Sequence, residues 1–206
     1  MLHTFVAYVE DKPGVLTRVA SLFRRLNINI VSLTVGHSER RGISRMTIVA
    51  EPPDHAGDRA PDRIRASLYK LENVLEVDDI GKAPNVTREL ALIKVAATAS
   101  NRSHIFELAE VFRARIVDLA PDSLMIEITG VESKIEGLIQ VLNETEDRVL
   151  EVCRSGKMTM RRGKHSSGVL RAMGVGGAEP DPPKPGGNAL PNSGLETFPD
   201  NFADNI

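Results

Sequence analysis

The chain has 206 residues, of which 41% are hydrophobic and 26% are charged, a balance typical of a globular protein with one or two domains. The formal charge of −2 argues against a nucleic-acid partner, because such proteins usually present a basic face. No apolar run approaches the roughly 20 residues that cross a bilayer, and the first residues lack the pattern of a secretory signal. We therefore expect a cytoplasmic protein with no membrane partner.

The first half of the chain changes from strand to helix periodicity in a regular order. A mixture of β-branched and aromatic residues predicts a strand at 2–9, and alternation with period two predicts strands at 28–36 and 43–50. A fourth strand is predicted at 74–80. Apolar residues at helical spacing predict two helices, one after Pro13 and one around Leu68. The stripe of the first helix consists of Val15, Val19, Leu22, Phe23 and Leu26, and that of the second of Ile64, Leu68 and Leu71. The order is βαββαβ.

The second half repeats this order, with little residue identity to the first. Strands are predicted near 90–97, 114–119, 123–130 and 148–154, with helices between them on the stripes Ile105, Leu108, Ala109, Phe112 and Ile135, Leu138, Ile139, Leu142. The fold class is therefore α+β, with two ferredoxin-like βαββαβ domains, each an antiparallel sheet with two helices on one face. We predict domains at 1–81 and 86–163, joined by a linker at 81–85.

Residues 164–206 are rich in proline and glycine and poor in large apolar residues. Such a segment cannot bury enough apolar surface to offset the entropy of ordering, so we predict a disordered tail.

Two kinds of chemistry find no support in the chain. The single cysteine, Cys153, excludes an internal disulfide and, taken alone, a structural zinc site. We interpret it as a half-buried strand residue rather than a reactive thiol. The histidines lack metal-ligand spacing, and no nucleophile, base or metal set converges. We predict no catalytic and no metal-binding residues.

The informative segment is the junction of the first strand and first helix, Asp11-Lys12-Pro13-Gly14-Val15-Leu16. Asp11 is suited to cap the helix, and Pro13 suits its first turn. Gly14 has no Cβ, so a ligand can approach the main chain closely. The remaining free N–H groups favour a carboxylate, and Asn29 offers a donor and an acceptor that fit an amino acid. The alternative interpretation is an ordinary capped turn, which the residues alone favour.

The loop Asp11–Leu16 resembles the ligand loop of ACT domains, small-molecule sensing modules with a βαββαβ fold. Four further strings resemble the acetolactate synthase small-subunit family more specifically: 30–36 (IVSLTVG), 42–49 (GISRMTIV), 88–95 (RELALIKV) and 112–118 (FRARIVD). The resemblance covers roughly residues 2–162. It implies that the first domain is an ACT domain and the second an ACT-like domain of the small subunit.

This resemblance implies a non-catalytic regulatory subunit in branched-chain amino-acid biosynthesis. Such a subunit binds the large catalytic subunit, raises its activity and confers feedback inhibition by valine or a related amino acid. Thiamine diphosphate, Mg and FAD are expected in that partner and no cofactor in this chain. The ACT domains are expected to form a homodimer with the effector at its interface. The implied effector-binding residues are Asp11, Gly14, Val15, Leu16, Asn29 and Ile30, and Asp11 departs from the asparagine common in relatives.

The second hypothesis is a stand-alone ACT-type amino-acid sensor that acts on another enzyme or on a transcription factor. An RNA-binding module of the same topology is disfavoured, because residues 44–49 of the third strand carry no aromatic side chain on which a base could stack.

Overall fold

The structure is a computed structural model that describes residues 2–53, 57, 59–81, 83–144 and 148–163. The segment 164–206, for which the sequence predicts disorder, lies outside the described residues. None of the helices in the described ranges is long and apolar enough to cross a membrane. The elements in chain order are β1 (His3–Glu10), α1 (Val15–Arg25), β2 (Asn29–His37), β3 (Ile43–Glu51), α2 (Ala60–Leu68), β4 (Val74–Asp79), β5 (Asn85–Ala96), α3 (Arg102–Val111), β6 (Arg115–Leu119), β7 (Ser123–Gly130), α4 (Glu132–Glu144), β8 (Val149–Arg154) and β9 (Met158–Arg161).

The two halves form two antiparallel sheets of the same topology. The first sheet has the order β2-β3-β1-β4 and the second the order β6-β7-β5-β8. The registers correspond as well: β1 pairs with β3 from His3–Ala50 to Glu10–Ile43, and β5 pairs with β7 from Glu89–Gly130 to Ala96–Ser123. The predicted α+β class with two ferredoxin-like units is confirmed.

Each sheet buries one face against its own pair of helices. On the first sheet, Phe5 and Ile48 pack with Phe23 of α1 and Ile64 of α2, all 1% exposed or less. On the second, Ile93 and Ile126 form a separate core with the two remaining helices. The predicted helical stripes supply these cores, because one apolar face per helix is what a sheet can cover. Complete burial of each such side chain contributes about 1.5–3 kcal/mol.

A two-stranded arm extends from the second sheet, and the sequence did not predict it. We use the name arm for residues 85–88 of β5 together with β9, which pair from Asn85–Arg161 to Arg88–Met158. The strand predicted at 90–97 begins five residues earlier, at Asn85, so it enters the predicted linker 81–85. The arm lies against the face of the first sheet opposite the helices, where Thr159 is 3% exposed. Arg161 there forms an ion pair of 2.6 Å with Asp78 of β4.

None of the described elements covers the corresponding face of the second sheet. Leu92, Lys94 and Met125 line a shallow groove there with Glu151 and Cys153. The expectation that Cys153 is half-buried is wrong: its side chain is exposed on β8. It pairs with Leu92 rather than with a core position, because the register of β8 shifts beside Lys94 and places Val149, not Cys153, against the helices.

Candidate effector site

The loop between β1 and α1 is open at its centre. Gly14 occupies the N-cap position with φ 84°, a left-handed conformation that glycine adopts without steric cost. A Cβ built on Gly14 would have no described atom within 4 Å. The first turn of α1 has no side-chain cap. The Val15 N–H donates to the Lys12 carbonyl at 3.4 Å, which leaves the amides of Leu16 and Thr17 to an external acceptor. The local geometry therefore leaves room for a ligand carboxylate.

The prediction that Asp11 caps α1 is wrong. Its backbone N–H instead donates to the carbonyl of Gly42 at 2.8 Å, which extends the β1–β3 pairing by one position. Its carboxylate lies 3.3 Å from Nδ1 of His37. His37 is the last residue of β2. Since β2 runs parallel to β1, the C-terminal ends of both strands lie at the same end of the sheet. No local pattern in the sequence indicates this contact between residues so far apart in the chain.

A network of hydrogen bonds around Asn73 fixes the C-terminal end of β1. The side-chain amide of Asn73, which is 9% exposed, donates to Glu10 Oε2 at 2.6 Å and accepts from Arg18 of α1 at 2.7 Å. The Asn73 carbonyl accepts from the Glu10 N–H at 2.9 Å. The Asn73 amide first, and then Lys12, stabilise the carboxylate and lower the pKa of Glu10 from its ordinary value of 4.5. Asn73 thus links β1, α1 and the turn before β4, a role that sequence reasoning missed.

The predicted site residues of α1 differ in what they can present. Val15 is 5% exposed and belongs to the first core, so its side chain is not available to a ligand. Leu16 is 45% exposed beside the open space at Gly14. The loop therefore offers main-chain donors, one carboxylate and one apolar side chain.

The other two predicted residues lie at the far end of the same sheet. Asn29, which is exposed, pairs with Glu51, and Ile30 pairs with Ala50. The loop lies instead at the level of Gly42. Along β3 this separation is about 30 Å, at a rise of roughly 3.3 Å per residue. Within one chain, the structure does not bring the two groups of predicted effector residues together.

β2 itself differs from the other strands that end a sheet. Its sequence, NIVSLTVGH, contains no Asp, Glu, Lys or Arg. The remaining three end strands read VLEVDD, RIVDL and VLEVCR and all carry charges. Val31 and Val35 of β2 are 45% and 43% exposed. Charged side chains are a common protection against edge-to-edge pairing, and β2 lacks it.

Within the described part of the chain, no three His, Cys, Asp or Glu side chains come together in a way that could hold a metal ion.

Comparisons with known proteins agree on both halves. A family model described as the AHAS small subunit-like ACT domain matches residues 5–76. A second family model, the small subunit of acetolactate synthase, matches residues 88–163. The two matches fall on the first and the second sheet respectively.

Individual relatives agree over nearly their whole length. A probable acetolactate synthase small subunit from Archaeoglobus fulgidus is 45% identical over 163 residues, 79% of this chain and 98% of the relative. The acetolactate synthase small subunit from Mycobacterium bovis is 43% identical over 169 residues, 82% of this chain and 97% of the relative. The crystal structure of the acetolactate synthase small subunit from Thermotoga maritima superposes with a TM-score of 0.71 at 38% identity, covering 79% of this chain and 98% of that one. The chain belongs to the acetolactate synthase small-subunit family.

Proposed function

We propose that this chain is the regulatory subunit that activates the large catalytic subunit of acetolactate synthase and makes it sensitive to valine. In this proposal the chain has no chemistry of its own. Thiamine diphosphate, Mg and FAD belong to the catalytic partner, and valine acts as the feedback inhibitor of branched-chain amino-acid biosynthesis. The observation that carries the effector half of the proposal is the separation of Asn29 from the loop at Gly14, together with the uncharged edge of β2.

A second copy of the chain would close that separation. In an antiparallel pairing of two β2 strands centred on Leu33, Asn29 of one chain lies opposite His37 of the other. His37 contacts Asp11, so this register brings Asn29 and Ile30 of one chain to the loop of its partner. The same register places Val31 opposite Val35, an apolar pair of the kind that stabilises antiparallel strands. A homodimer therefore contains two effector sites, and a single chain contains none.

The chemistry of the composite site suits a free amino acid. The uncapped first turn of α1 attracts the ligand carboxylate, through both its amides and the helix dipole. Asp11 and the amide of Asn29 from the other chain are suited to hold the ammonium group. The aspartate found here in place of the family's usual asparagine would sit closer to the ammonium than to the carboxylate. Leu16 supplies apolar contact for a branched side chain.

Reconstitution with the cognate large subunit tests the proposal as a whole. We expect the two proteins to elute as a complex, turnover to exceed that of the large subunit alone, and valine to lower it. This chain by itself should form no acetolactate. Valine binding without complex formation would favour a stand-alone amino-acid sensor, and absence of both would contradict the proposal.

The site assignment is tested by a valine titration of the reconstituted enzyme. Gly14→Asp places a negative group in the open space of the loop, so inhibition should be lost while activation persists. Gly163→Asp is the matched control, because Gly163 has φ 83° and a Cβ there would likewise have no described atom within 4 Å. Asn29→Ala should weaken inhibition more mildly, and Asn143→Ala, an exposed asparagine on α4, should leave it unchanged. Unchanged inhibition in both site variants would show that the effector binds elsewhere.

A further inference from the structure

The arm belongs to the second sheet by its hydrogen bonds and to the first sheet by its packing. β8 and β9 follow one side of β5 almost as one strand, interrupted by a bulge at residues 155–157. Within this bulge, Ser155 N donates to the carbonyl of Leu90 at 2.9 Å. Past the bulge, Arg45 of β3 donates to the carbonyl of Thr159. A displacement of the first sheet therefore acts on β9, and β9 continues through the bulge into β8 of the second sheet.

The bulge touches β2 through two hydroxyl groups. The Thr34 hydroxyl donates to the carbonyl of Lys157 at 3.2 Å, with the carbonyl of Ser155 at 3.4 Å. The Ser32 hydroxyl accepts from the N–H of Lys157 at 2.9 Å. Both hydroxyls lie on the same face of β2, because residues two apart on a strand share a face. β2 thus meets the second unit of the fold by side-chain bonds to main-chain groups.

The contact leaves no room for a side chain at Gly156, the central residue of the bulge. Gly156 adopts φ 81°, and a Cβ there would lie 2.8 Å from Thr34 Oγ1 and 3.0 Å from Ser32 Oγ. Glycine is required at this position both for its backbone conformation and for the close approach of the two segments. The fit between β2 and the bulge is therefore tight.

We propose that the contact of Ser32 and Thr34 with the bulge at Gly156 transmits the effector-bound state of β2 to the second sheet. The inference rests on the proposed function, in which Asn29 and Ile30 of the same strand bind the effector. A strand that tightens around a ligand shifts as a unit, and the two hydroxyls follow it. Packed side chains and hydrogen bonds can carry coupling between distant sites, and this set of contacts runs from β2 through the bulge to β5. Ser32 and Thr34 are positioning residues and do not touch the effector.

Gly156→Ala tests the link, with Gly163→Ala as the matched control. Both glycines have nearly the same φ, 81° and 83°, but only Gly156 has neighbours within 4 Å. The backbone strain is therefore shared and the difference isolates the contact with β2. Three quantities are measured on the full-length chain: L-valine binding by calorimetry, turnover of the reconstituted enzyme without valine, and turnover at saturating valine.

For Gly156→Ala we expect valine affinity within about twofold of wild type and unchanged turnover without valine. Coupled sites typically influence each other about 5- to 150-fold, and loss of this coupling should reduce inhibition at saturating valine by about half or more. Gly163→Ala should be inhibited like wild type. Inhibition that stays complete in Gly156→Ala would overturn the proposal, and so would loss of valine binding, because the contact would then be part of the site.

Thr34→Val provides the second variant, in case Gly156→Ala fails to fold. Valine keeps the shape of threonine and removes only the hydroxyl bonds, so the same pattern should appear in weaker form. Thr129→Val, at an exposed threonine of β7, is its control. Full inhibition in Thr34→Val would contradict the link. Failure of the proposed function is distinguished from failure of this inference, because in the first case wild type itself does not bind valine or is not inhibited.

Discussion

The two units share a backbone plan but differ at the loop that follows their first strand. Asp11 N donates to the carbonyl of Gly42, and the corresponding Ala97 N donates to that of Asp122. In the second unit Asn101 takes the place of Gly14 before the helix. Its side chain accepts from Thr98 N at 2.6 Å and donates to the carbonyl of Ala96 at 3.2 Å. The same loop is thus filled by its own asparagine in one unit and left open by glycine in the other.

The units also differ in how they use their surfaces. The first sheet has one uncharged edge, at β2, and its second face is covered by the arm. The second sheet has charged edges, at Arg115 and Asp118 of β6 and at Glu151 of β8, and among the described residues nothing covers its second face. The comparison teaches that two units of the same architecture can differ in the surfaces they present, and in the function we propose only the first unit binds the effector and pairs through its edge strand.

A charge on the edge of β2 should have the largest effect. Val35→Lys puts a charge opposite Val31 of the partner in the proposed dimer, at both symmetry-related positions, so the dimer should dissociate. Val35 is 43% exposed in the single chain, so the fold should survive. Light scattering after size-exclusion chromatography should report the monomer mass, and valine sensitivity should be lost.

The control for this variant lies on the other sheet. Val117 of β6 is 48% exposed but belongs to an edge that already carries charges, so Val117→Lys should leave the dimer intact. A dimer that survives Val35→Lys, or that dissociates only with Val117→Lys, would show that the units do not differ at their edges in the way we propose.

Removal of the Asn73 side-chain amide should lower the free energy of unfolding by an intermediate amount that depends on pH. Glu10 corresponds in register to Ala96, so this acid dependence belongs to the first unit. The lowered pKa of Glu10 means that its contribution to stability is present above the ordinary value and is lost as the pH falls through the folded-state pKa. Loss of buried hydrogen bonds costs about 1–3 kcal/mol, so Asn73→Ala should lower the free energy of unfolding by this amount at neutral pH.

The difference between wild type and Asn73→Ala should narrow as the pH falls below 4.5. Urea unfolding at pH 7 and in acid measures this, and an NMR titration of the Glu10 carboxyl should show a higher pKa in the variant. Asn143→Ala serves as the exposed control. A difference that is the same at both pH values would mean that the Asn73–Glu10 bond does not favour the charged carboxylate.

The smallest expected effect concerns the residue that ends the first helix of each unit. Asn27 has φ 54° and Arg113 has φ 50°, and the next residues, Ile28 and Ala114, close equivalent turns by donating to carbonyls five residues back. Asparagine tolerates this conformation better than arginine does. Arg113→Gly should therefore raise the free energy of unfolding by about 0.5–1 kcal/mol, after allowance for the entropy of glycine.

Asn27→Gly is the matched substitution and should be nearly neutral. Thermal unfolding of both variants measures the two changes in the free energy of unfolding. A larger increase for Asn27→Gly than for Arg113→Gly would show that strain at these turns does not follow residue type.

The sequence by itself determined the elements of the two βαββαβ units, their two cores and the family. A helix buries one stripe and a half-buried strand one alternate set of residues, so positions such as Phe23 and Ile126 could be assigned to a core from local periodicity. The missing Cβ at Gly14 was also readable from the sequence, but the absence of a cap was not, because Asp11 pairs with Gly42 and His37 instead of with α1. The exposed position of Cys153 was not, because a register shift beside Lys94 changes the face on which a β8 residue lies.

Only the tertiary structure decided how distant segments meet. β9 is a run of only four residues in which the polar Thr159 is buried and the apolar Met160 is exposed. It becomes a strand because the long β5 offers it hydrogen bonds. The Asp11–His37 contact and the 9% exposed Asn73 depend on the parallel course of β1 and β2 and on the turn before β4. Asn29 and Gly14 lie at opposite ends of the first sheet because β1 and β2 run in the same direction. That direction is set by the pairing of both strands with β3. Local patterns record what each segment buries, whereas strand pairing between distant segments fixes which side chains share a site.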